Sequence, residues 1–342
     1  WMPEESDAHY LRGETGPLLE TRAELANLLA AIEFTEKAQP STVMVECALA
    51  ALQVYMMWGP YERGFEVADR AITVPNIEMG ERLRCALYKA TFSLRCGRPT
   101  QAREVASSAL GLARECGDVR FVGRALAQLA YMDQLEGDIS SSRELYEEAL
   151  ACSRVVGDRR TELTVLNELA LLLADTGERE RAIKAVESGL AISRQHGFRR
   201  FEGWFESRMG HLAPASKREG HSLKALKIVR AYGDAYIESG ALNTLADICI
   251  GENRGDEALV HAHAAIDLVR GIGARREEGI LLAKTGFITL RQGDLATAED
   301  LLQRSIDITL ENNAAGFPLG CMGLLRGNQG RFEESHELFD RA

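Results

Sequence analysis

Apolar residues recur at intervals of three and four along nearly the whole chain. Leu145, Ala149 and Cys152 follow one another in this way, as do Leu166, Leu169, Ala170 and Leu173, while Arg143, Glu144, Glu147 and Glu148 fill the remaining arc. That is the period of an amphipathic helix. No segment alternates apolar and polar residues for long enough to predict a strand, so the predicted fold class is all-α.

A second, longer period is laid over the first. Small residues stand 40 apart at Ala90, Ala130, Ala170 and Gly210, and continue at Ala246, Gly286 and Gly323. Two further columns keep step. Twelve residues after each marker lie Ala102, Ser142, Ala182, Ser222, Ala258, Ala298 and Ser335; nineteen after lie Ala109, Ala149, Gly189, Ala265, Ser305 and Ala342, with Ala225 taking that place early in a short unit. Gly97, Gly137, Gly177 and Gly293 fall between the first two columns, and Gly117, Gly157, Gly197, Gly233 and Gly273 close the units. Glycine just past an apolar stretch ends a helix because it enters the left-handed conformation without a Cβ penalty. Each unit therefore reads as helix, tight turn, helix, turn. The small columns mark where paired helices approach closest. Units of this kind bury their apolar faces only by stacking on one another.

Paired helices carrying small residue, turn, small residue and small residue resemble the tetratricopeptide repeat. The segment Glu144-Leu-Tyr-Glu-Glu-Ala-Leu150 is similar to that repeat's second helix. The resemblance covers about residues 41–342 and implies a right-handed α-solenoid of antiparallel helix pairs with seven to eight repeats. The usual family period is about 34 residues, so 40 implies lengthened helices, as in the C-terminal arrays of bacterial STAND-type regulators. The expected organisation is an entry segment with a lead-in helix at 1–40 and a degenerate first repeat at 41–78, where Leu52 replaces a small residue but Gly64 and Ala71 fit. Repeats then follow at 79–117, 118–157, 158–197, 198–233, 234–273, 274–313 and 314–342. The units holding Pro214 and Pro318 are short, and the first helix of the former should end near Leu212.

Composition changes the picture little. The chain has 342 residues, 46% hydrophobic but only 6% aromatic, as suits cores of Leu and Ala. Its net charge of −11, with no basic run longer than Arg-Arg, argues against a phosphate-backbone partner and so against direct nucleic-acid binding. No apolar stretch reaches membrane-spanning length and no signal peptide is visible. Seven cysteines without Cys-x-x-Cys spacing read as reduced core thiols, which implies a cytoplasmic protein. The chain begins with Trp1 and stops at Ala342 inside a repeat, which suggests a piece of a longer polypeptide or disordered ends. Within Leu18–Phe34, the phrase Glu24-Leu-Ala-Asn-Leu-Leu-Ala-Ala-Ile-Glu-Phe34 resembles the helix leading into the repeats of STAND-type ATPases, and implies an upstream nucleotide-binding module.

No phosphate-binding loop, nucleophile elbow or His-Glu-x-x-His motif occurs, so no enzyme activity, cofactor or catalytic residue is expected. His261 and His263, two apart on a helix, point to nearly opposite sides and cannot share a metal. What remains is the concave groove that the resemblance implies, which would take a protein or peptide. Family register places there the side chains three and six before each marker and one after it. The polar and aromatic candidates are Arg84, Arg124, Tyr131, Asn167, Trp204, Ser207, His211, Asn243 and Asp247, with Leu87, Thr91, Ala127, Thr164, Leu171, Gly240, Ile280, Ala283 and Phe287 between them. The set runs from positive to amide and aromatic to apolar. Two functions fit: the sensor or interaction module of a larger signalling or transcription-regulating ATPase, or a free-standing adaptor or peptide receptor. Because the small columns set the stacking distance, Arg or Leu at Ala130 or Ala149 should wedge the units apart and cost roughly 1–3 kcal/mol or more. Chemical denaturation of Ala130→Arg checks this.

Overall fold

The computed structural model describes residues 15–38, 41–310 and 315–342. The first part of the entry segment and the unit boundary expected at 313/314 lie outside these. Among the described residues there are eighteen helices: α1 (Thr15–Ala23), α2 (Leu25–Ala38), α3 (Thr42–Trp58), α4 (Tyr61–Ile72), α5 (Met79–Arg95), α6 (Pro99–Glu115), α7 (Val119–Glu136), α8 (Ile139–Val156), α9 (Arg159–Asp175), α10 (Arg179–Gln195), α11 (Arg199–Leu212), α12 (Ala215–Arg230), α13 (Ala235–Gly251), α14 (Gly255–Ile272), α15 (Arg275–Arg291), α16 (Leu295–Leu310), α17 (Gly316–Asn328) and α18 (Phe332–Arg341). From α3 onward they form antiparallel pairs, each stacked on the next in an α-solenoid. The lead-in helix expected over Leu18–Phe34 is two helices, broken by a turn at Glu24.

Gly-Asp dipeptides set helix boundaries from both sides. Gly117, Gly137, Gly157 and Gly233 adopt φ between 69° and 85°. After three of them the next residue's amide reaches back five positions, as in Asp118 N–H to Ala113 O at 2.9 Å, which satisfies carbonyls the helix would leave orphaned. The aspartate then caps the following helix: Asp118 accepts from the amides of Arg120 and Phe121, Asp158 from Thr161, and Asp234 from Ile237. Pro214 stands at the N-cap of α12, immediately after α11 ends at Leu212.

Apart from Ala342 the small columns are buried, and at several positions there is no room for more. Ala90, Ala102, Ala130, Ala149, Ala170 and Ala182 are all within 1% of complete burial. A Cβ at Gly189 would lie 2.1 Å from the Phe205 ring, and one at Gly64 2.5 Å from that of Phe92. At two of the serine positions the hydroxyl clips the paired helices: Ser142 Oγ donates to Ala130 O at 2.8 Å and Ser335 Oγ to Gly323 O at 2.8 Å. The cysteines are free thiols, but the core reading holds only in part. Cys85, Cys249 and Cys321 are buried, whereas Cys116 is exposed at the end of α6.

The array does not stay open. It turns back so that α3 packs against α13 and α5 against α15. A single apolar cluster consequently runs from Ile32 to Phe92 and from Ala225 to Ile308. At this seam Gly59, with φ 62°, lies so close to the main chain of Ile272 that a Cβ would meet its Cα at 2.5 Å. Trp58 lies beside Gly233, its Nε1 3.4 Å from where a Cβ would stand. Arg95 on α5 stacks over Tyr236 on α13, 3.8 Å from the ring centroid, and donates to Tyr61 OH at 2.7 Å; Tyr236 OH donates in turn to Glu277 on α15 at 3.2 Å.

Charge pairs spaced by 34 residues tie consecutive units. Arg124 reaches Asp158 at 2.8 Å and Arg200 reaches Asp234 at 2.7 Å, each arginine meeting the cap of the next inner helix. The second pair is dry, with side chains 7% and 0% exposed. Removing one partner of such a pair strands the other charge out of water. Asp234→Ala, which also removes a cap, should therefore cost about 3–5 kcal/mol. Glu148→Ala, which breaks the half-exposed pair with Arg114, should cost less than about 1 kcal/mol. Urea denaturation of the two variants makes the comparison.

Candidate functional site

Closure converts the concave face into a cavity of about 460 Å³ at the centre of the array. Its wall comes from the first helix of successive units, α5, α7, α9, α11, α13 and α15, with Met56 added from α3. Of the residues singled out by register, Arg84, Arg124, Tyr131, Trp204, Ser207, His211 and Asn243 stand in this wall, beside Leu87, Thr91, Ala127, Thr164, Leu171, Gly240 and Ile280.

The others do not. Asn167 is fully buried one layer behind, its amide donating to Glu168 at 3.0 Å and accepting from Arg208 Nε at 3.4 Å. It orients two wall residues and lies outside the wall itself. Asp247 pairs with Lys284 at 2.5 Å. Ala283 and Phe287 belong to an apolar cluster with Leu290 and Leu302. Of the apolar end expected from the register, Ile280 reaches the wall and Ala283 and Phe287 do not.

In their place the wall holds residues the register did not name. Tyr88, Gln128, Glu168 and Arg208 stand two before their markers, and Arg160, Arg200, Tyr236 and Arg276 ten before, each at the second position of its helix. The ten-before set was legible in part, because Arg recurs there four times, at 120, 160, 200 and 276, though Arg120 is not in the wall. Arg95 carried no local signal, since only closure brings it to Tyr236.

The wall is strongly basic for an acidic protein. Seven arginines face two glutamates, although the chain as a whole carries −11. Several buried polar atoms of the wall have no protein partner: Arg84 Nε, Gln128 Oε1, Asn243 Oδ1, Arg276 Nε and Glu277 Oε2. Gln128 illustrates the geometry. Its Nε2 donates to Leu87 O at 2.9 Å and to Thr91 Oγ1 at 2.8 Å, tying α7 to α5, while its oxygen is left over. Buried polar atoms are almost always satisfied, and five unsatisfied ones gather around this one cavity.

Burial pushes the phenols of Tyr131 and Tyr236 above their ordinary pKa, which keeps them neutral donors. His211 shares a 2.6 Å hydrogen bond with Thr244. Its pKa falls to about 4, first through loss of water and then through the positive charge of Arg208, with Asp247 opposing. The imidazole is therefore neutral at neutral pH. Because the folded value lies below the ordinary 6.5, the unfolded chain binds the extra proton as pH drops. The stability attributable to His211 should be complete above about pH 6.5 and decline as the solution is acidified towards pH 4. Proton NMR of the His211 ring should give a midpoint near 4; a midpoint near 6.5 would contradict this environment.

Residues 121–195 match the family model of the tetratricopeptide repeat. No curated protein matches the sequence. Among solved structures, a Rap protein complexed with Competence and Sporulation Factor superposes with a TM-score of 0.68 at 15% identity, over 95% of this chain and 97% of that one. The hetero-tetramer Cut9-Hcn1 of the APC/C gives 0.61 at 12% identity, over 92% of this chain and 56% of that one. A STAND protein with a tetratricopeptide repeat sensor from Pyrococcus horikoshii gives 0.47 at 15%, over 93% of this chain and 52% of that one. Residues 121–195 are tetratricopeptide repeats, and the helix pairs that continue them on both sides complete an α-solenoid of the same type.

Proposed function

We propose that this chain is a non-catalytic binding scaffold that takes a peptide, a protein segment or a small effector into the cavity at its centre. The observation that carries the reading is the set of unpartnered polar atoms on the inner helices, gathered from α5, α7, α13 and α15 around one space. A volume of about 460 Å³ falls in the range of ordinary ligand sites. The aromatic and arginine content of the wall is of the kind that carries binding energy.

We place the protein in the cytoplasm, where its seven free thiols remain reduced. The phrase over Glu24–Phe34 supports a role as the sensor module of a larger signalling or transcription-regulating ATPase. The alternative is a free-standing receptor or adaptor. It draws on the Rap protein, which matches this chain over 97% of its own length and is complexed with Competence and Sporulation Factor in its crystal structure. A phosphate-binding loop encoded upstream in the gene would decide for the first, and a natural start near Trp1 for the second.

The cavity reading has a direct test. Gly240 lines the cavity, and a Cβ there meets nothing within 4 Å, so Trp fits while filling the space. Native mass spectrometry of the protein isolated from its own cells should show a bound species that Gly240→Trp excludes at unchanged melting temperature. A bound species that survives this substitution would place the site elsewhere.

A further inference from the structure

The repeat supplies its own control for deciding which arginines are structural. Arg124 stands six before its marker, and 34 residues later Asp158, the cap of the next inner helix, accepts from its Nε at 2.8 Å. Arg84 occupies the equivalent place in the preceding unit, and Asp118 is its counterpart cap. Yet Arg84 makes no ion pair or hydrogen bond with Asp118 or any other described residue, and its buried Nε is unpartnered. Ten before the marker the same contrast recurs. Arg200 gives its Nε to Asp234 at 2.7 Å. By the same columns the counterpart cap of its equivalent, Arg276, is Glu311, which lies outside the described residues; among the described residues Arg276 meets only the adjacent Glu277, at 3.9 Å, with its own Nε unpartnered and buried. In two registers, then, one arginine is consumed by the fold and another is left in the cavity wall. The helices bearing the two spared arginines, α5 and α15, pack against each other at the seam.

A buried N–H without an acceptor is costly, and each of these arginines has one at Nε, so its persistence calls for an acceptor, which the positive charge favours as an anion. Beside it, Gln128 and Asn243 present unpartnered amide oxygens, which accept from a donor. We infer that the cavity takes a small organic anion, carboxylate or phosphate, held by Arg84 and Arg276, whose own N–H or O–H groups meet Gln128 and Asn243. This rests on the cavity being the binding site and names the class of ligand it selects.

The test uses the full chain and three probes at matched ionic strength: N-acetyl-leucine, its uncharged amide N-acetyl-leucinamide, and inorganic phosphate, each read by melting temperature and calorimetry. N-acetyl-leucine, phosphate or both should raise the melting temperature above that in sodium chloride, and the amide should not; which anion acts distinguishes carboxylate from phosphate. Arg84→Met and Arg276→Met keep the packing of the stems. Each should leave the ligand-free melting temperature unchanged or higher, and weaken the active anion at least about tenfold. Absence of any stabilisation by either anion overturns the inference, as does equal binding of the amide or undiminished binding by both variants. If binding survives in Arg84→Met and Arg276→Met but is lost in Gly240→Trp, the cavity reading stands and the anion assignment falls. If it survives in all three, both fall.

Discussion

The cavity depends on a backbone-to-backbone approach at the seam. Gly59 meets Ile272 at a distance that excludes any side chain, because a Cβ there would lie 2.5 Å from the Ile272 Cα. Interaction surfaces of solenoids are ordinarily open, each unit touching only its neighbours. Here the first units also touch the sixth and seventh, and one apolar cluster joins them. The small columns make this possible, since each Ala, Ser or Gly lets adjacent helices come closer and so tightens the turn per unit. Replacing any of them with a larger residue therefore acts twice, once by local overpacking and once by opening the angle on which closure depends.

Closure also sorts the charges. The exterior carries the acidic excess, whereas the wall gathers arginines, a separation that favours anionic over cationic contents by field alone. Within the wall the groups differ in how they are held. Arg124 and Arg200 are committed to helix caps, Arg95 to the aromatic rings at the seam, and His211 is neutral through burial. Tyr131 and Tyr236, also neutral, supply hydroxyls without adding charge. Arg84 and Asn243 keep the period of the sequence, yet each is left with an unfulfilled bond that its equivalent in another unit does not have. Where consistency across levels fails at particular residues of a well-ordered repeat, function is the usual reason.

Much of this was legible in the sequence because the signals are local. Gly-Asp ends one helix and begins the next through bonds spanning five residues or fewer, and the columns report contacts between adjacent helices. Family register even brought Arg84, Trp204 and Asn243 to the concave side. It failed where geometry accumulates. Asn167 and Asn243 share a column, but one is sealed beneath Glu168 and Arg208 while the other faces the cavity. Phe287 and Tyr131 share another, and only Tyr131 is in the wall. A small rotation per unit, summed over six units, decides these fates, and no short motif encodes a sum. The same reasoning explains why Arg95, Tyr236 and Glu277, far apart in sequence and on three helices, read as ordinary surface residues until the ends meet.

The position of the spared arginines links binding to closure. Arg84 lies on α5 and Arg276 on α15, helices that neighbour each other only because the array turns back. A ligand held by both would span the junction, so its binding free energy and that of the seam are coupled, and each strengthens the other by the same amount. Such a ligand reports its presence through the curvature of the whole array, because that is the coordinate along which the two arginines separate. Enclosure is therefore more than a means of excluding water from the site. If the cavity holds such an anion, the contact between α5 and α15 and the occupancy of the cavity are linked.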